Sequence, residues 1–228
     1  MTATIPLFPL GTVLMPGAAL PLHIFEPRYR QLTVDLITGE VPGKEFGVVA
    51  VREGHHPDRS GAAGMHAVGC TAVLLDARRL PDGRYDIVTR GARRFRLLDL
   101  DTTSRSYLTG TVEFLPDDAS AADTPDPRLV EMLERAAREA HRGYCNTAWR
   151  SADWSEPAAD TPTADLPHLL AGDCLLPLTD RQQLLEQTSP VQRLREVRRL
   201  LAREKGLLGT LRAVPAPHGT FPDDHSSN

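Results

Sequence analysis

Apolar residues in the first half of the chain alternate over short runs, whereas those in the second half recur every three or four positions. Gly47-Val48-Val49-Ala50-Val51 is a β-branched run of strand length, and Thr71, Val73 and Leu75 alternate between Gly69 and Asp76. Asp82-Gly83 reads as a hairpin turn, because glycine tolerates the positive φ that tight turns require. Beyond it, Tyr85 and Ile87 fall on one face of a strand and Arg84 and Asp86 on the other. Gly91 interrupts this pattern as a bend or bulge, after which Arg94 and Arg96 alternate with Phe95 and Leu97. Tyr107 to Leu115 is the last strand candidate. Short strands separated by frequent turns predict a small closed or half-closed barrel. One early helix is expected after Glu26-Pro27, since proline loses no bond in a first helical turn. Tyr29, Leu32 and Leu36 lie at helical spacing, and Gly39 can end the helix.

The period changes after Pro116. Residues 117–127 are polar, acidic and rich in Pro and Ala, and read as a linker. Leu129, Leu133, Ala136, Ala137, Ala140 and Tyr144 then form one helical stripe. Residues 150–162 are a polar, Trp-containing loop, and Thr163 to Leu176 resumes a helical pattern. Thr179 is the expected N-cap of a short helix running through Glu186. Ser189-Pro190 opens a final helix with Val191, Leu194, Val197, Leu201 and Leu208 on its apolar side. Residues 213–228 have little to bury and read as a disordered tail. The fold class is therefore α+β: a β-rich unit over 1–116, a linker over 117–127 and an α-helical bundle over 128–212.

Composition narrows the function. The net charge is −4, which argues against dedicated nucleic-acid binding. Three widely spaced cysteines, Cys70, Cys145 and Cys174, suggest neither a disulfide framework nor a thiol zinc site and fit a reducing compartment. The N-terminus lacks a basic start, its apolar run is broken by Pro6, Pro9 and Pro16, and no run approaches membrane-spanning length. A cytoplasmic protein with no membrane partner is the expectation.

Specificity comes from ordered blocks. Pro6-Leu7-Phe8-Pro9-Leu10-Gly11 through Met15-Pro16-Gly17 is followed by Leu20-Pro21-Leu22-His23-Ile24-Phe25-Glu26-Pro27-Arg28-Tyr29-Arg30. Phe46-Gly47-Val48-Val49, Val68-Gly69-Cys70-Thr71-Ala72, Leu80 to Tyr85, Arg90 to Arg96, and Leu176 to Glu186 come after in order. Together they resemble the N-terminal substrate-binding domain of Lon proteases, in particular its free-standing bacterial versions, over roughly residues 5–208. The resemblance implies a PUA-like β pseudo-barrel followed by a helical bundle. It also implies a role in recognising unfolded or tagged protein segments, alone or with a separate protease or chaperone. No Walker A loop is present: the two lysines, Lys44 and Lys205, sit in no such pattern. No stretch remains for a Ser/Lys peptidase domain. A non-catalytic module without cofactor or metal is expected.

Within that reading, Arg28 and Arg30 are the candidate partner contacts, since Arg is enriched at interface hot spots. The site would be an apolar groove between barrel and bundle, or an exposed barrel edge accepting an extended peptide. The alternative is an RNA-binding PUA-like module using Arg93, Arg94 and Arg96, opposed by interleaved Asp residues and the lack of an aromatic stacking platform. His23 with Glu26 could suggest acid–base chemistry, but a strand end followed by a helix start explains both. His55, His56, His66 and Asp58 lie in or beside a Gly-rich loop with no recognisable metal spacing. His141 and Cys145, four apart on a helix, are two donors only and are assigned structural or surface roles, and a small hydrolase using His23 or Cys145 is the remotest reading. The arginines of the final helix, Arg193 included, read as a solvated face.

Overall fold

Strand β1 (Thr2–Leu10) lies between two partners far away in sequence. It runs parallel to β3 (Glu45–Ala50), with Leu7 opposite Gly47, and antiparallel to β6 (Thr109–Phe114), with Thr2 opposite Glu113. β3 pairs with β4 (Val68–Arg79), β4 with β5 (Tyr85–Asp101), and β2 (Ala19–Ile24) with the first half of β5. The second half of β5 bonds β6 and closes the ring β1-β3-β4-β5-β6, leaving β2 as an edge strand. The result is one mixed six-stranded sheet folded on itself with helices against it, an α+β architecture rather than a clean barrel. The computed structural model describes residues 2–55, 61–117, 126–149, 154–172 and 174–211. His56, Asp58 and the expected tail lie outside them.

Local chemistry explains the closure. β5 carries one extra residue against β4 between Gly91 and Arg94, so the bulge falls where the pattern breaks. At Gly91 an added Cβ would lie 2.1 Å from the Met15 carbonyl oxygen. Only glycine lets the 15–18 segment come this close, and Gly17 N–H donates to Gly91 O while Gly91 N–H donates to Ala18 O. Two further bulges place Leu75 and Leu98 on the surface rather than in the alternating core. Inside the closed sheet, Leu7, Val49, Met65, Phe95, Leu108 and Val112 form a small core. The Phe95 ring occupies space that a Cβ at Gly69 would fill, at 2.6 Å.

A larger core covers the other face of the sheet and continues into the helices without interruption. Helix α1 (Pro27–Thr38) starts on proline, ends at a left-handed Gly39, and buries Tyr29, Leu32 and Leu36. Tyr29 stacks on Phe8 at 3.9 Å, which fixes α1 on the sheet. Helices α2 (Pro127–Ala148) and α5 (Pro190–Leu211) pack along each other; α3 (Leu166–Gly172) packs against both, and α4 (Leu178–Glu186) packs on β4, α3 and α5.

The helical half corrects several expectations. Among the described residues of the stretch from 163 to 176, only Leu166–Gly172 is helical. Helix α4 begins at Leu178, behind Pro177, so Thr179 is inside it and caps nothing. The buried stripe of α2 runs through Leu133, Ala137, His141, Tyr144, Cys145 and Ala148, which puts two polar candidates in the core. The described part of the polar loop docks back on α2: Arg138 donates to the carbonyls of Pro157 and Ala158, and Trp154 meets the His141 ring edge-on. Arg193, expected on a solvated face, is fully buried.

Candidate functional site

The junction between sheet and helices is held by charge. Asp117 sits just after β6 and takes both Arg94 of β5 and Arg193 of α5. Its carboxylate accepts at 2.6 Å from Arg94 and at 2.7 and 2.8 Å from Arg193, the latter a two-pronged pairing. Both guanidiniums also donate to main-chain carbonyls, although the buried Nε of Arg193 has no partner among the described residues. Arg94 donates to Leu185 and Gln187, and Arg193 to Gln187 and Ala164. Burial, with the charges of Arg193 and Arg94 added, pushes the pKa of His168 in α3 well below the usual histidine range. A third arginine, Arg181 of α4, donates to Val13 O across the same seam.

Beside this staple the seam opens into a cavity of about 580 Å³. Arg52, His66, Ala67 and Val68 line it from the β3–β4 connection, Arg96 from β5, and Thr179, Gln182, Gln183 and Glu186 from α4. The lining is polar, not the apolar groove expected at this junction. Gln182 is buried and bridges the walls, its Nε2 donating to Val68 O at 3.0 Å and to Glu186 at 2.7 Å, while its Oε1 receives no donor. Arg52 spends its Nε on Met65 O, and Arg96 is exposed; neither has an ion pair among the described residues. Burial, and then the charge of Arg52, lowers the pKa of His66, so near neutral pH its ring is an uncharged partner. The cavity can therefore offer two cationic donors, a neutral imidazole and amide groups to an extended, hydrogen-bonding ligand.

The sequence-chosen residues disperse. Arg28 is paired with Glu26 at 2.9 Å and lies over the Tyr29 ring, and Arg30 sits half-buried beside the Gly83 turn. His23 and Glu26 have separate partners, His23 engaging Asp86 and Arg84 across the β2–β5 pair. Of the arginine triplet, Arg94 is the buried staple, and Arg93 lies 3.8 Å from the centre of the Phe114 ring and grips Glu45. Burial would raise the Glu45 carboxyl, but hydrogen bonds from Arg93 and Thr71 outweigh it and hold it below the usual carboxylate range. Only Arg96 of the three faces the cavity. Sequence reasoning missed Arg52, Gln182, Glu186 and the Arg193 anchor. Gln182 and Glu186, spaced by one helical turn inside a recognised block, were the available signal.

The fold and seam define an α+β architecture, a closed mixed sheet stapled to a helical cap. The family described as "ATP-dependent protease La (LON) substrate-binding domain" matches residues 4–203, and the chain belongs to it. A Lon protease of Anaeromyxobacter dehalogenans is 29% identical over 208 residues, covering 90% of this chain and 24% of that protein. The Escherichia coli K12 Lon protease is 26% identical over 216 residues, again 90% of this chain and 25% of the relative. The chain thus spans about a quarter of the length of these relatives, and the match is to their substrate-binding part alone. Among solved structures, a Lon N-terminal domain protein from Xanthomonas campestris superposes with a TM-score of 0.58 at 26% identity, covering 86% of this chain and 96% of that one. The N-terminal domain of Lon protease from the Mycobacterium avium complex shares the fold, with a TM-score of 0.61 at 18% identity and coverage of 88% and 98%. No helix among the described residues is long and apolar enough to cross a membrane.

Proposed function

We propose that this chain is a non-catalytic binding module for extended protein segments, and that the junction cavity is where they dock. The observation that carries the reading is the pair of guanidiniums, Arg52 and Arg96, on two walls of one cavity in a substrate-binding-domain fold, neither with an ion pair among the described residues. Their chemistry favours segments bearing a carboxylate, which a planar guanidinium grips with two parallel bonds. His66 and Gln183 supply further polar contacts for a peptide backbone. The edge strand β2 is a poorer entry, because Pro21 in it lacks the N–H that a β-addition partner needs. The match of residues 4–203 to a substrate-binding domain supports binding as the role of these residues. Three buried cysteines, none in a disulfide, suit a reducing, cytoplasmic setting.

The test is fluorescence anisotropy with extended peptides that are acidic or neutral, and free or amidated at the C-terminus. Acidic peptides should bind in a salt-sensitive way, and Arg52→Ala with Arg96→Ala should weaken them at least about tenfold, the effect of roughly 1.4 kcal/mol. Equal binding by the double variant would move the site elsewhere, and no binding of any peptide would sink the function. The RNA reading draws less support, since Arg94 is spent inside the fold and Arg93 on Glu45 and Phe114.

A further inference from the structure

Away from the junction cavity, the interior of the helical half gathers three transition-metal donors from two segments. His141 and Cys145 lie one turn apart on the inner face of α2, and Cys174 follows α3. Their ligand atoms all fall within 4.8 Å of one another, and all three side chains are buried. Cys145 Sγ is 3.4 Å from His141 Nε2. In a tetrahedral zinc site, with Zn–S about 2.3 Å and Zn–N about 2.0–2.1 Å, neighbouring donors stand about 3.5–3.8 Å apart. The His141–Cys145 edge is already near that value, and Cys174 needs a shift of about 1 Å at most to complete the triangle.

As a plain core, this cluster is a poor use of polar groups. The imidazole has a thiol, a weak hydrogen-bonding partner, on one nitrogen, and its buried Nδ1 has no partner among the described residues. A metal changes that account. We propose that His141, Cys145 and Cys174 form a binding site for a thiophilic divalent cation, zinc in the first instance. Binding converts two thiols to thiolates and releases two protons, so the dication and two thiolates make a neutral unit that an apolar core accepts. Three protein donors leave one coordination position for a non-protein ligand. Softer thiolate ligands select zinc over magnesium or calcium, which want oxygen. The ion would tie α2 to the segment after α3, where Cys174 Sγ donates to Leu170 O.

The experiment uses the full chain without a histidine tag, kept reduced by a phosphine, loaded with zinc and then exchanged into metal-free buffer. Elemental mass spectrometry should find about one zinc per chain, as a site with three protein ligands retains it. Loading with cobalt(II) instead should produce a near-ultraviolet thiolate-to-cobalt charge-transfer band of a two-thiolate site, readable without any substitution. Cys145→Ser and Cys174→Ser should each abolish both signals, while Cys70→Ser, whose thiol lies elsewhere in the core, should keep them. A natively folded chain that retains no zinc and shows no cobalt–thiolate band overturns the site. So does zinc held equally by folded Cys145→Ser and Cys174→Ser chains. If those variants fail to fold, the cobalt spectrum of the unmodified chain decides alone.

Discussion

Replacing Asp117 by Asn probes the staple that joins sheet to helices. The change keeps the shape and removes the charge that Arg94 and Arg193 share. Asparagine retains one carbonyl oxygen, but its amide turns hydrogens toward guanidinium hydrogens. Of three bonds at 2.6–2.8 Å, it can keep one or two. Two arginine side chains, 3% and 0% exposed, then lose their counter-ion. Removing one partner of a buried pair costs about 3–5 kcal/mol, and the 30% exposure of the Asp117 side chain places this case at the lower end, about 3 kcal/mol. For a chain of this size, each kcal/mol lowers Tm by about 2–4 °C, so a fall of about 6–12 °C is expected. Urea unfolding followed by circular dichroism measures the loss. The exposed Arg84–Asp82 pair is the control, and Arg84→Ala should change stability by less than about 1 kcal/mol. An Asp117→Asn loss equally small, with an unchanged denaturant slope, would refute the staple as the link between the two halves.

Gly91→Ala should destabilise by about 3 kcal/mol or more, because its Cβ would collide with the Met15 carbonyl; a fully stable variant in thermal unfolding would contradict the close approach. His168 is held neutral in the fold, whereas its unfolded form titrates near the usual value of about 6.5. The unfolded chain therefore binds the extra proton, and stability falls as pH drops below about 6.5, by up to about 1.4 kcal/mol per pH unit. His168→Gln should flatten that acid-side slope in pH-dependent urea titrations, and an unaltered slope would assign the effect to other groups.

What the sequence showed depended on period. Tyr85 and Ile87 alternate with Arg84 and Asp86 in the sequence and face opposite sides in the fold, because a strand repeats every second residue. Pro27 and Gly39 bracket α1 for reasons carried within a few residues. The staple was hidden because an arginine's burial depends on partners far along the chain: Arg193 meets Asp117 only after the sheet closes. The same holds for the site. Arg28 and Arg30 stood out inside a recognised block, yet Arg28 is paired locally with Glu26. Arg52 carries no local motif and Arg96 stood out only as part of an arginine-rich strand; the return of α4 onto the start of β4 makes them walls of one cavity.

Photo-crosslinking maps the binding site most directly. An extended acidic peptide with a central photoreactive residue, irradiated with the purified chain, would be located by mass spectrometry of the digest. Crosslinks should concentrate on residues 52 and 66–68, on 96 and along 179–186, and excess unlabelled peptide should suppress them. Competed crosslinks confined to β2 or to the outer face of α5, with none on these segments, would contradict docking in the cavity.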